Sequence, residues 1–182
     1  EDQQSLLYAV NICHHLSLCC LLFQKIVSVG AFEHFGKKFY KTFFKKIKSI
    51  MTDDGICLLH TIGSVDAPGL VQPFIQKRIF PGGIVPSLSD IIKPIEKTGL
   101  IIADCETLIH HYDKTLKVWL ERFLKNKEKA KFLYNKEFVR MWECYLSMCS
   151  AAFKFRDLVV YQLQLVKNFT APPSNRRNYI YQ

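Results

Sequence analysis

Apolar residues fall along this chain in strand-like runs and helix-like stripes. Residues 24–30, Q-K-I-V-S-V-G, form a β-branched run stopped by glycine and predict a buried strand. Over residues 37–50, Phe39, Tyr40, Phe43, Phe44, Ile47 and Ile50 recur at helical spacing, with Lys37, Lys38, Lys41, Lys45, Lys46 and Lys48 on the remaining surface. Asp53, Asp54 and Gly55 predict a turn, and residues 56–61 a second buried strand. Strand, helix, strand is the unit that a parallel sheet requires. A glycine- and proline-rich passage over residues 63–86 carries a short helical piece at 71–79. Ser87 is placed to cap a short helix at 89–97, which Gly99 ends. Residues 100–105 predict a third strand. Two helices follow, one striped by Tyr112, Leu116, Trp119, Leu120 and Phe123, the other over residues 131–153 by Phe138, Met141, Trp142, Tyr145, Met148, Cys149 and Ala152. Residues 158–166 alternate and predict a half-buried strand at or near a sheet edge. The tail from Asn168 reads as loose.

The pattern predicts an α/β domain, and composition narrows its setting. A chain of 182 residues, 49% apolar, is long and apolar enough for one folded core, which excludes a disordered protein. Its charge of +9 suits nucleic acid, an anionic membrane or an anionic substrate. No nucleic-acid recognition motif accompanies that charge, so no nucleic-acid partner is expected. The seven cysteines include no C-x-x-C pair, and reduced thiols are expected rather than a metal site or disulfide framework. Asn11, His14 and His15 interrupt the apolar stretch over residues 5–23, which makes a poor membrane span, and no positive segment precedes it as in a signal peptide.

Neither G-x-G-x-x-G nor a Walker pattern occurs. Glu33 and His34 stand just beyond the carboxyl end of the first predicted strand, and His60 ends the second. Ligands of open α/β sheets bind outside the carboxyl ends of strands, so Glu33 and His60 are candidates for one site. Either could equally be a loop or cap residue. His110, His111 and Tyr112 precede a helix and are a weak signal alone. The lysine face reads as solvated, and the two tryptophan stripes read as core.

The segments I-V-S-V-G-A-F-E-H-F-G (26–36), L-L-H-T-I-G (58–63) and I-F-P-G-G-I-V-P-S (79–87) come in order. H-Y-D-K-T-L-K-V-W (111–119), M-W-E-C-Y-L (141–146), Ala152-Phe153 and Y-Q-L-Q-L (161–165) follow them. Together they resemble the cyclopropane-fatty-acyl-phospholipid synthase and mycolic acid cyclopropane synthase family of S-adenosylmethionine-dependent methyltransferases. The uninterrupted passage after residue 63 looks more like the phospholipid enzymes. The resemblance covers residues 24–167 and implies the C-terminal part of a Rossmann-like class I methyltransferase fold. Residues 1–23 are left unmatched, and 168–182 form the tail.

The resemblance implies a reaction. The cis double bond of an unsaturated phospholipid acyl chain takes a methyl from S-adenosylmethionine, and loss of a proton then closes a cyclopropane ring. Bicarbonate is implied as the general base, held by the side chains of Glu33, His60 and Tyr112 and by the backbone N–H of Ile62. Phe80, Tyr145 and Phe153 are the aromatics implied to face the cation or line the acyl channel. Cys149 matches a position sometimes assigned as an active-site cysteine. The reaction needs no thiol, however, and a buried structural role is favoured. The family's N-terminal strands and glycine-rich cofactor loop should precede residue 24, and nothing in residues 1–22 matches them. A truncated chain is therefore expected, with an apolar edge left at the strand around Ile26. The alternative is an inactive fragment that binds lipid or another protein at most. The expected setting is cytoplasmic, peripheral at the inner membrane face, with the basic helix face toward anionic headgroups. A homodimer is left open.

Overall fold

The structure, a computed structural model, describes residues 22–69 and 71–171. The readings made for residues 5–21 and for the tail beyond Ala171 lie outside them, as do Cys13, Cys19 and Cys20.

Four strands form one mixed sheet: β1 (Phe23–Val29), β2 (Met51–Ser64), β3 (Ile101–Leu108) and β4 (Leu158–Val166), in the order β1-β2-β4-β3. β1 and β2 run parallel, joined by helix α1 (Tyr40–Ile50), as the strand–helix–strand pattern predicts. Asp53, Asp54 and Gly55 do not form a separate turn. They sit within β2, where the register jumps from Phe23 opposite Met51 to Lys25 opposite Ile56. The extra residues make an irregularity in the strand.

β4 lies near a sheet edge as expected, one strand in from it, but it is not half-buried. It inserts between β2 and β3, antiparallel to both, so both of its backbone edges are paired. Its two faces are also covered: Val159, Tyr161, Leu163 and Leu165 pack on one side and Val160 on the other. The alternation came from Gln162 and Gln164, which are only partly exposed. β3 is the edge strand on that side, and β1 has no strand on its outer edge among the described residues. Phe23, Val27 and Val29 of β1 are exposed.

Helices cover both faces of the sheet. On one lie α1 and α3 (Leu88–Glu96), which bury Phe43, Phe44, Ile47, Ile91 and Ile95. Phe39, counted in the apolar stripe, instead lies exposed ahead of α1. α3 starts as predicted at Ser87, whose hydroxyl accepts from Asp90 N–H while the Asp90 carboxylate accepts Ser87 N–H. Lys48 of α1 closes its other end by donating to the carbonyls of Thr98 and Gly99. On the opposite face lie α4 (His111–Lys125) and α6 (Lys136–Phe155), with α2 (Pro73–Arg78) beside them. The helix predicted over 131–153 is broken. α5 (Lys127–Leu133) ends before Tyr134, and Asn135 starts α6 by accepting Phe138 N–H at 2.7 Å. The stripe from Phe138 to Ala152 lies wholly in α6, and the asparagine cap sets where that helix begins.

Candidate functional site

The site is built around the turn after β1. Phe32 is fully buried there, stacked on Tyr40 at 4.0 Å and edge-on to Phe43 at 5.3 Å. Burial of one such ring stabilises by about 1.5–3 kcal/mol, which anchors the turn. Gly36 leaves it at φ 76°, ψ 144°, a conformation that a side chain resists. Between these anchors the single turn Phe32–His34 points Glu33 inward, leaving it 9% exposed. The Glu33 carbonyl also accepts Ile84 N–H at 2.9 Å, which fastens the 79–87 loop to the same turn.

The Glu33 carboxylate is the centre of the arrangement. Its Oε1 accepts the backbone N–H of Ile62 at 2.5 Å. Its Oε2 is buried and has no hydrogen-bond partner among the described residues. A buried carboxylate oxygen without a donor is costly, so a donor brought to Oε2 would be bound favourably there. His60 is held by β2 opposite Val29, and its carbonyl accepts Gly30 N–H at 3.1 Å. Burial pulls the imidazole pKa below its usual value, and the charge of Glu33 partly opposes this. His60 is therefore a neutral ring at neutral pH.

Tyr112 enters from the start of α4. His110, the residue before the helix, adopts the left-handed conformation at φ 59°, which turns the chain from β3 into the helix. The Tyr112 ring lies 4.9 Å from Phe153 and 6.0 Å from Trp119. Burial raises its pKa, with Glu33 and Cys149 adding to the effect, so the phenol stays protonated and can donate. Cys149 on α6 is pushed by burial up to about 11, so it is a thiol and not a thiolate at neutral pH. Tyr145, one turn earlier on α6, has a phenol raised first by burial and then by Cys149 and Tyr112. Phe80 from the 79–87 loop meets Tyr145 edge-on at 5.9 Å and His34 at 5.7 Å.

The structure thus brings Glu33, His60, Ile62 and Tyr112 to one place, with Cys149 and the aromatics Phe80, Tyr145 and Phe153 around them. Two neighbours were not singled out from sequence. Trp142 lies 5.1 Å from Tyr145 and continues the aromatic wall. Tyr40 is buried with its hydroxyl unpartnered among the described residues, and its pKa is raised by burial, then by Asp90 and Glu33. A tyrosine in a stripe of phenylalanine and isoleucine was the available signal. Among the described residues, no group of three or more His, Cys, Asp or Glu side chains could hold a metal ion. No disulfide joins the four cysteines among them. No helix among them is long and apolar enough to cross a membrane. A carboxylate, a neutral imidazole and a protonated phenol gathered in this way can bind a small hydrogen-bonding anion and move a proton.

Comparison with known proteins identifies the family and the fold. The chain is 40% identical over 141 residues to the cyclopropane-fatty-acyl-phospholipid synthase of Escherichia coli (strain K12), covering 78% of this chain and 37% of that protein. Its structure resembles that of the cyclopropane synthase MmaA2 from Mycobacterium tuberculosis, with a TM-score of 0.74 and 31% identity, over 80% of this chain and 55% of the other. It resembles equally the mycolic acid cyclopropane synthase CmaA1 complexed with SAH and CTAB, with a TM-score of 0.74 and 26% identity, over 89% of this chain and 66% of that one. The chain spans between about a third and two thirds of the length of these relatives. The described sheet and helices have the Rossmann-like class I methyltransferase architecture expected from the sequence. The family model described as mycolic acid cyclopropane synthetase matches residues 7–163, beginning inside the segment that sequence reading left unmatched. On that match, this chain belongs to the mycolic acid cyclopropane synthetase family.

Proposed function

We propose that this chain carries the proton-removing and acyl-binding side of a synthase that builds a cyclopropane ring on the cis double bond of unsaturated phospholipid acyl chains, with S-adenosylmethionine as the one-carbon donor. The observation that carries the reading is Glu33: buried, tied to Ile62 by one oxygen and lacking a donor on the other. Bicarbonate fits that vacancy in hydrogen bonding, because it has one hydroxyl hydrogen for Glu33 Oε2 and acceptor oxygens for donors. Tyr112 and His60 are those donors, kept protonated and neutral respectively by burial. Ile62 N–H is already engaged by Glu33 and would be shared with the anion. When bound, bicarbonate supplies a general base whose strength matches neutral pH.

The chain's own residues do the rest. Glu33 would orient the anion's hydroxyl and take up, through it, the proton that leaves the acyl chain as the ring closes. Tyr112 and His60 would hold the anion in place. Tyr145, Phe153 and Phe80 offer ring faces to a cation on the acyl chain and apolar walls to the rest of it. Cys149, held as a thiol, does not compete for the methyl group. The described residues carry no glycine-rich loop to cradle S-adenosylmethionine, so no role toward that donor is assigned to them. The setting that suits this chemistry is peripheral, at the inner face of a membrane.

Two measurements test the reading. Carbon-13 bicarbonate should show line broadening in NMR on addition of the protein, and Glu33→Gln should abolish it. Labelled S-adenosylmethionine incubated with cis-unsaturated phospholipid should yield cyclopropane fatty acid, reduced on the order of a hundredfold or more in Glu33→Gln. Bicarbonate binding that survives Glu33→Gln would sink the assignment.

A further inference from the structure

The corner between α5 and α6 presents Phe132, Leu133 and Tyr134 to solvent at 88%, 61% and 65% exposure. Single exposed apolar side chains are ordinary, but three in succession at a helix corner are not. Nothing in the fold needs them there: the turn is closed by backbone, Tyr134 N–H to the Ala130 carbonyl, and by the Asn135 cap.

The surroundings are basic. Between residues 121 and 140 the chain has seven basic and three acidic side chains. Two of the basic ones are neutralised, Lys127 by Glu143 and Lys131 by Glu128. Lys125, Lys129, Lys136 and Arg140 are exposed and make no ion pair among the described residues. An apolar tip inside a cationic collar matches the chemistry of an anionic bilayer surface, where aromatic residues sit at headgroup depth and lysines meet lipid phosphates. The lysine-rich face of α1 and the turn before it is a poorer match, because Lys37 is paired with Asp90 and Lys48 caps α3.

The tip also leads to the site. Tyr134 stacks on Phe138 at 4.3 Å, Phe138 on Trp142 at 5.7 Å, Trp142 lies 5.1 Å from Tyr145, and Tyr145 lies 5.9 Å from Phe80. The chain of rings runs from the exposed corner to the residue beside His34 and Glu33. At its outer end an open groove of about 500 Å³, with mostly apolar walls, lies between α2 and the start of α6, lined by Phe74, Asn135, Phe138 and Met141 among others.

We propose that the α5–α6 corner is a membrane-docking tip that inserts Phe132, Leu133 and Tyr134 into the headgroup region of an anionic phospholipid bilayer, setting the aromatic path at the lipid surface. This rests on the acyl-chain reading of the Glu33 site for its purpose, but not for its test.

The test is flotation of the full chain with vesicles of phosphatidylglycerol and phosphatidylethanolamine, against vesicles of phosphatidylcholine alone. Binding is expected on the anionic vesicles, roughly tenfold weaker or more in Phe132→Ser/Leu133→Ser. Lys129→Glu/Lys136→Glu should lose roughly fivefold per residue, with a milder salt dependence. Phe155→Ser removes a side chain that is 75% exposed elsewhere and should bind normally. A Phe132→Trp variant should shift to the blue and be quenched by brominated acyl chains, which reads insertion without depending on the double variant's fold. Equal binding to phosphatidylcholine, normal flotation of the Phe132/Leu133 variant, or an unquenched reporter overturns the proposal. So does failure to bind any vesicle together with self-association that the double variant abolishes, which would assign the tip to a second copy of the chain. Ring formation on vesicles that survives the double variant rejects the tip and keeps the site. Tip-dependent vesicle binding with no bicarbonate bound at Glu33 rejects the site and keeps the tip.

Discussion

The Glu33 carboxylate accepts the backbone N–H of Ile62 at 2.5 Å, tying the turn after β1 to the last residues of β2. The bond does two things, since it satisfies a strand N–H and holds the carboxylate still. Glu33→Gln keeps an acceptor oxygen for Ile62 and should change stability by less than about 1 kcal/mol. Glu33→Ala leaves the N–H unpaired and should cost about 1–3 kcal/mol. Urea unfolding midpoints separate the two. Equal losses would show that the charge, rather than the hydrogen bond, holds the turn.

His60 makes stability depend on pH in a stated direction. Its folded pKa lies below the ordinary 6.5 because burial disfavours the imidazolium, with Glu33 only partly opposing. The unfolded chain therefore binds the proton first as pH falls. The native state has its full His60 contribution above about pH 6.5 and loses it as pH drops through 6.5 toward the folded value. Thermal melts between pH 7.5 and 5 should show a decline that is shallower in His60→Gln. A slope unchanged by the substitution would assign the decline to other groups.

Much of this site was legible because the sheet rule and the local signals agreed. A glycine-stopped β-branched run places Glu33 beyond one strand end, and the next apolar run places His60 at the end of the neighbouring one, although β2 continues past it to Ser64. Tyr112 was harder. It reaches the site only because β3 lies at the sheet edge and His110 turns the chain over the sheet, a long-range arrangement with no local pattern. β4 shows the limit more plainly. Alternation reports which faces a strand buries, not which strands flank it. Gln162 and Gln164 mimicked an outward face in a strand paired on both sides. The break at Tyr134 and Asn135 was hidden because it lies ahead of the apolar stripe, which begins at Phe138, while a single side-chain acceptor decides where the helix starts.

Gly63 is required by close approach. A Cβ there would stand 2.4 Å from the Tyr161 ring and 2.9 Å from the Pro86 carbonyl oxygen. Neither neighbour yields easily. Tyr161 is fully packed and donates its hydroxyl to the Ser64 carbonyl, and Pro86 accepts Ser64 N–H at 3.0 Å. Gly63→Ala should destabilise by about 1–3 kcal/mol, the usual cost of overpacking. The double variant Gly63→Ala/Tyr161→Leu should recover part of that loss if the ring is the obstacle. A double-mutant cycle with no coupling would place the strain at Pro86 instead.

Tyr40 presents the opposite situation, a polar atom whose removal should help. Its ring is 1% exposed and stacked on Phe32, while its hydroxyl is buried without a partner among the described residues. A buried, unbonded hydroxyl costs about 1–3 kcal/mol on protein scales, whereas the ring contributes packing. Tyr40→Phe keeps the ring and should leave stability unchanged or raise it by about 1 kcal/mol. Tyr40→Ala should lose about 3–5 kcal/mol, as large-to-small changes of buried aromatics do. A loss of more than about 1 kcal/mol in Tyr40→Phe would mean that the hydroxyl is bonded in solution. The charges that raise its pKa, Asp90 and Glu33, then identify the two directions in which its partner lies. Repeating the melt with Glu33→Gln in the background chooses between them: a penalty that disappears there makes Tyr40 a positioning residue for the Glu33 carboxylate, and one that persists assigns the hydroxyl to Asp90 at the cap of α3.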